Sequence, residues 1–469
     1  MNTKNGLSLL FILMLTLGAC NKNLDIAPEG VMTEQSALEE QRTAEDMLAG
    51  AYQQMFLAMS GDAYTIGDLT TGIATATTNE WYTGMVEPND GVVAGFWDDG
   101  YAAINLANVI ITQLPRYARF DPAVQKQFVA EARFVRAFSY LQLIKLFGDG
   151  ALENKPEGLG VPLRLEGFEG YDGSQITPRS TNKEIFSLIR SDLDSAIARL
   201  PEKYDVLVNT YCRATRTSAA ALAARVALYM RDYEACISYC DIALNDPGHV
   251  LSTSPAGVFQ DNANGNSVDY PFDKEVLFAF PVSYNKDPTQ YAKHNIYYTQ
   301  GYIRPDSAFV ASYGAGDLRK TVMIDTIATY NGEIATTVKF SDPNRLDNLV
   351  MLRLAEVLLN KAEAIAFKDG VSRKAVDLLN RIHQRAFAAE NKPTVYVPDD
   401  FVNREALIHQ ILQEKKWELA FEGLDRYDEI AAGVKPNDQL PESKYALPIP
   451  QYDVEITGGI IKQNPGYIK

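Results

Sequence analysis

The stretch Ala219 to Pro247, AAALAARVALYMRDYEACISYCDIALNDP, decides the fold. Its apolar residues recur at helical spacing on both sides of Arg231-Asp232-Tyr233, a polar triplet suited to a tight turn between two helices. Ala223, Cys236 and Ala243 are small enough for the helices to approach closely, and Pro247 ends the unit. Leu352 to Ile382, LRLAEVLLNKAEAIAFKDGVSRKAVDLLNRI, repeats the layout with Ala375 at the matching small position. Such tetratricopeptide-like pairs cannot bury an apolar face alone and must stack on one another.

Working outward, the same period continues. Trp97, Tyr101, Ile104, Asn108 and Ile111 mark one helix, with Trp97 on its apolar stripe. Phe134, Ala137, Leu141 and Ile144 mark another, stopped at Phe147-Gly148-Asp149-Gly150. Thr181 reads as an N-cap with Glu184 completing a capping box. Further helices are predicted at about 33–59, 215–230, 232–245, 349–367, 372–388 and 402–422, the last placing Trp417 in a core stripe. Residues 148–180 are loop-like, and 250–348 has little helical period. Within the latter, Thr321 to Phe340 holds two β-prone runs around Asn331-Gly332, a dipeptide suited to a type I′ hairpin turn. The expected fold is all-α: a superhelix of tetratricopeptide-like helix pairs with large loop excursions and a small β-hairpin. The frame spans about 33–247 and 349–432 of a single domain, 33–469, and function belongs on the excursions.

The chain has 469 residues with 44 Lys and Arg against 60 Asp and Glu, a formal charge of −16 that disfavours nucleic-acid binding. Before the frame, Leu7 to Leu17 is an apolar run of eleven residues. As a helix it would rise about 16 Å, too short for a bilayer core of about 30 Å. The run leads into Leu17-Gly18-Ala19-Cys20, which looks like a bacterial lipobox. Residues 1–19 are then a signal peptide and Cys20 the acylated first residue of the mature chain, with 20–32 as its tether. Cys236 and Cys240 lie one turn apart within an apolar stripe and read as buried small hydrophobes in preference to a disulfide or metal pair; whether these two and Cys212 are all free is left to the structure.

Glu131 to Gly148 (EARFVRAFSYLQLIKLFG), Leu352 to Ala364 (LRLAEVLLNKAEA) and Glu414 to Asp428 (EKKWELAFEGLDRYD) follow one another in a recognisable order. Leu447-Pro448-Ile449-Pro450 and Gln463-Asn464-Pro465-Gly466-Tyr467 complete it. With the lipobox, the chain resembles the SusD/RagB family of Bacteroidetes outer-membrane lipoproteins. One departure stands out. The family usually places Arg two residues after the Glu-Gly pair; here Asp425 takes that place and Arg426 is displaced by one. The Arg-rich stretch before it is softened to Lys415 and Lys416. The resemblance implies a lipid-anchored, surface-exposed binding protein of the cell outer membrane. Its partner would be a SusC-type TonB-dependent β-barrel, over which it acts as a lid delivering oligosaccharide or peptide. It implies no enzymatic activity and no cofactor. The alternative is a tetratricopeptide scaffold without a small ligand.

Sugar capture needs flat aromatic faces for the C–H side of a ring, and amide, carboxylate or guanidinium groups for its hydroxyl rim. Two clusters supply both. Asn79-Glu80-Trp81-Tyr82 lies in a loop, where Trp81 reads either as a stacking face or as an anchor of the loop. Tyr284, Tyr291, Tyr297, Tyr298 and Tyr302 lie in the second excursion with Asn285, Lys286, Asp287, Asn295 and Arg304 among them. The sequence carries no G-x-S-x-G, H-E-x-x-H, Walker or Rossmann motif. His249, His294, His383 and His409 are scattered, the last two expected at helix surfaces or caps. Asn262, Asn264, Asn266 and Asp269 fall short of a calcium loop, lacking its turn Gly and terminal Glu, and read as a polar turn. No catalytic or metal site is expected.

Overall fold

The computed structural model describes residues 34–168, 176–262, 272–282, 297–298, 300–322, 324–329, 332–340 and 347–467. The signal segment, Cys20, Tyr284, Tyr291, His294, Asn264, Asn266, Asp269 and the residues Asn285, Lys286, Asp287 and Asn295 lie outside them.

Helices α1 (Glu34–Glu39) and α2 (Gln41–Met59) pack on the long α5, while α3 (Asp62–Thr71) leads into strand β1 (Ala74–Ala76) and the short α4 (Glu80–Thr83). Helix α5 (Gly91–Tyr117) pairs with α6 (Pro122–Phe147). The first starts where the Asp90 side chain accepts from Val92 N–H, the second where Asp121 accepts from Ala123 N–H with Pro122 in the first turn. Trp97 is buried against Phe147 and Tyr101, with ring centroids 5.1 and 5.0 Å away. Strands β2 (Leu159–Pro162) and β3 (Arg179–Thr181) pair antiparallel ahead of α7 (Asn182–Ile197), whose Thr181–Glu184 capping box forms as expected.

After α8 (Leu207–Cys212) comes the stretch that decides the fold, α9 (Arg216–Tyr229) and α10 (Tyr233–Leu244). Their turn closes through Arg231 at φ 58° and Asp232, whose side chain accepts from Ala235 N–H. Cys236 and Cys240 are fully buried, with thiols 3.8 and 3.4 Å from the carbonyls of Asn360 and Val357 on the next helical pair. The small residues therefore bring neighbouring pairs into backbone-level contact, and all three cysteines of the described chain are free.

The excursion supplies β4 (Val276–Phe280), β5 (Ile303–Pro305), α11 (Ser307–Ala311), α12 (Leu318–Val322), β6 (Ile324–Thr329) and β7 (Gly332–Thr337). Strand β5 pairs antiparallel with β1, which joins the excursion to the N-terminal half. The hairpin forms in a shifted register. Thr329 pairs with Gly332, which at φ 111° begins the second strand. Leu349–Arg353 is a strand, β8, rather than the helix start expected there. Its apolar run fits either state by pattern, and pairing with the fully buried β4 decides it.

The chain then completes the frame with α13 (Leu354–Asp369), α14 (Arg373–Arg385), α15 (Arg404–Glu418), α16 (Asp425–Ala432) and α17 (Gln451–Ile456). Helix α15 stops at Glu418, short of the expected 422, because the chain turns through Phe421 at φ 65° and Gly423 at φ 69°. The result is a tetratricopeptide-like helical fold. One apolar core runs from Leu38 to Ile461, and a second binds α13, α14 and α15.

A buried ionic cluster ties the excursion to the frame. Arg353 donates to Glu275 at 2.7 Å, Glu418 at 2.8 Å and Glu422 at 2.8 Å. Arg385 pairs with Glu275 and Glu418, and Lys339 with Glu422 at 2.6 Å. Burial favours the neutral form of Glu418, but Arg385, Arg353 and Arg319 outweigh it and hold its carboxyl down at about 2. His383 is buried rather than at a surface or cap: its Nδ1 lies 2.9 Å from Glu414, and Tyr396 packs on its ring. Its polar neighbour sits on α15, out of sight of its own helix's pattern. Among the described residues no helix is long and apolar enough to cross a membrane.

Candidate ligand-binding cleft

A cleft of about 510 Å³ opens where β1, the α4 turn, the head of α11 and the outer side of α15 converge. Asn79 caps α4 by accepting from Tyr82 N–H at 3.2 Å, and its amide donates to the Leu69 carbonyl at 3.0 Å. This double hold fixes the α4 turn and leaves Asn79 and Tyr82 on the cleft wall. The Tyr82 carbonyl accepts from Asn437 at 3.0 Å, which secures the turn from behind. Trp81 points the other way. It is 7% exposed and packs against Phe96, ring centroids 6.3 Å apart, so it anchors the loop in the core.

The opposite wall is α11. Asp306 caps it, accepting from Ala308 and Phe309 N–H at 2.8 and 3.2 Å, while its own N–H donates to the Ile73 carbonyl at 2.9 Å. The cap thereby registers α11 against the end of β1. Ser312 donates to the Phe309 carbonyl at 2.6 Å and accepts from the Trp417 indole at 3.0 Å. Trp417, expected in a core stripe, is half-buried beside this wall, because the excursion covers only part of its side of α15. Thr71, Thr75, Phe309, Gln413 and Lys416 complete the cleft's polar and aromatic lining.

The second candidate cluster is dispersed. Tyr298 is fully buried, stacked on Phe340 at 5.5 Å and edge-on to Phe421 at 5.7 Å. Tyr297 donates to Asp62 at 2.8 Å, and burial followed by that carboxylate pushes its hydroxyl well up. Tyr302 is 59% exposed. Arg304 is exposed, its Nε donating to the Gly301 carbonyl at 3.2 Å, and it pairs across the strands with Thr75 at the cleft's edge. Of the expected residues, Asn79 and Tyr82 line the cleft; Trp81, Tyr297, Tyr298, Tyr302 and Arg304 do not.

Two family models match the chain in sequence order. One, described as starch-binding associating with outer membrane, covers residues 22–228; the other, the SusD family, covers 266–431. The chain belongs to the SusD/RagB family. Over 97% of its length it is 25% identical to SusD-like protein P2 of Formosa agariphila, covering 98% of that protein. In fold it is similar to a SusD superfamily protein of Bacteroides thetaiotaomicron, with TM-score 0.76, 21% identity, and coverage of 91% of this chain and 99% of that one. Surface glycan-binding protein A of the same organism gives TM-score 0.71 at 17% identity, with coverage of 91% and 99%.

Against the usual SusD/RagB pattern, the displaced arginine has a clear consequence here. Arg426 is buried and donates to neutral acceptors, Thr70 Oγ1 at 2.9 Å and the Tyr445 carbonyl at 2.8 Å. Asp425 instead faces Lys416 on the cleft, Nζ to Oδ2 2.9 Å, with Glu429 3.3 Å from the same ammonium. Burial and then Asp425 push the Glu429 carboxyl up to about 9, more than Lys416 pulls it down. Sequence reading passed over Asp306, Ser312, Gln413 and Lys416 as lining residues. The exchange at Asp425 and the softening to Lys415 and Lys416 were the local signs of altered pairing there.

Proposed function

We propose that this chain is a cell-surface lipoprotein that binds oligosaccharide in the cleft between β1, α4, α11 and α15. It acts there as the lid of a SusC-type TonB-dependent importer. The observation that carries the reading is the cleft's composition. One half-buried aromatic ring, Tyr82, stands among hydroxyl and amide side chains on a wall fixed by the Asn79 and Asp306 caps, with Phe309 buried behind it. Such a ring can cover the C–H face of a pyranose while Thr, Ser, Asn and Gln satisfy its hydroxyls. An open site of this kind binds at millimolar to micromolar affinity, about −4 to −8 kcal/mol, which suits a protein that passes its cargo on. The family models and the name of the surface glycan-binding neighbour support the same assignment. Binding rather than catalysis is the role, with Cys20 carrying the lipid that holds the chain at the outer membrane.

The test is affinity purification of the tagged lipoprotein from detergent-solubilised outer membrane, with partners identified by mass spectrometry. A near-stoichiometric TonB-dependent barrel is expected. Recovery of the protein alone would overturn the lid role. Persistence of Cys20→Ala in the membrane fraction would overturn the anchor.

A further inference from the structure

Lys416 is the one Lys or Arg among the described residues lining the cleft, and its ammonium is held by the protein's own groups. It donates to the Thr71 carbonyl at 3.2 Å and to Glu429 Oε1 at 3.3 Å, and Asp425 Oδ2 pairs with it as an ion at 2.9 Å. Its side chain is 20% exposed, so it meets the cleft by one edge while the carboxyl groups hold it from behind. On the facing wall Asp306 spends Oδ1 on two backbone N–H groups. Its other oxygen is an acceptor that a ligand hydroxyl can meet and a ligand anion cannot. Thr71, Thr75, Asn79, Ser312 and Gln413 offer neutral groups only.

An acidic sugar entering this cleft would have to take Lys416 from Asp425 or sit beside Asp306 and Asp425 without a cation of its own. Neither exchange gains an ion pair, and like charges at close range are disfavoured. The chain's formal charge of −16 adds a long-range field of the same sign, which slows the approach of a polyanion.

We propose that the cleft selects uncharged saccharides and rejects uronates and sulfate esters, with the Lys416–Asp425–Glu429 cluster as the device that removes from service the one cation among the described residues that line it. This rests on the reading of the cleft as a saccharide site.

The test compares the detergent-solubilised lipoprotein against neutral polysaccharides (starch, xyloglucan, galactomannan) and acidic ones (polygalacturonate, alginate, carrageenan) by affinity electrophoresis and calorimetry. Binding to a neutral member at least about tenfold tighter than to any acidic one is expected. Asp425→Asn with Glu429→Gln frees Lys416 and should create salt-sensitive binding of an acidic member. If that double variant does not fold, the unmodified protein still decides. Tightest binding to an acidic polysaccharide, lost in Lys416→Met, overturns the selection while the saccharide reading stands. Binding of no polysaccharide in either set overturns both.

Discussion

Gly67 on α3 and Gly423 beyond α15 meet backbone to backbone. A Cβ on Gly67 would lie 2.5 Å from the Gly423 carbonyl oxygen, and one on Gly423 would lie 2.0 Å from the Tyr64 carbonyl. The contact is closed by Asp68, which accepts from Phe421 N–H at 2.9 Å and Gly423 N–H at 3.1 Å. It holds the turn that aims α16, and with it Asp425, at the cleft. Gly67→Ala is expected to force the two segments apart and cost about 1–3 kcal/mol, the usual range for overpacking. Denaturant titration should show a lower midpoint; an unchanged one would mean the backbones separate freely.

Glu418 receives Arg353 and Arg385 inside the core. Glu418→Gln leaves those cations under-compensated and is expected to lower stability by about 3–5 kcal/mol at neutral pH. The pH dependence follows from its depressed carboxyl. The folded value lies at about 2, below that of the unfolded chain. Its contribution is present above about pH 4.3 and is lost as pH falls toward 2. The difference between native protein and variant should therefore shrink over that window, as read by unfolding titrations at stepped pH.

Glu429 has the opposite sign. Its folded carboxyl is raised to about 9, so the folded chain keeps a proton that the unfolded chain releases. Its contribution is complete below about pH 4.3 and is lost progressively as pH rises toward 9. Glu429→Gln copies the protonated form. The variant should gain on the native protein as pH increases from 5 to 9. A constant difference across that range would show that Glu429 is charged throughout.

The frame was legible because stacking leaves a local mark. Ala223, Cys236 and Ala243 recur at helical spacing, and the helices form there with both thiols against the neighbouring pair. Strand β8 was not legible, since Leu349 to Leu352 is an apolar run whose state is set by a partner some seventy residues earlier. The cleft was half legible for the same reason. Asn79 and Tyr82 sit in a suggestive local cluster, but Asp306 and Lys416 become wall residues only through the β1–β5 pairing and the packing around α15. An aromatic in a polar loop gives no pattern that separates a wedge from a platform, and Trp81 and Tyr298 are both wedges.

Trp81 and Tyr82 are chain neighbours with opposite assignments, which makes them a controlled pair. Trp81→Ala empties a core site against Phe96 and is expected to cost about 3–5 kcal/mol, the range for deleting a buried aromatic. Tyr82→Ala removes a half-buried ring from the cleft wall. Its aromatic contact with a sugar is worth about 0.5–1.5 kcal/mol, so saccharide affinity should fall about two- to tenfold. Stability should move far less than in the Trp81 variant, because the Asn79 cap and the Asn437 bond that hold the turn use the backbone of Tyr82 and survive the change. Parallel thermal unfolding and calorimetric binding separate the two effects. Should Trp81→Ala retain its melting temperature and lose binding, the loop must turn its indole outward to meet ligand, and the wall would be rebuilt around Trp81 in place of Tyr82.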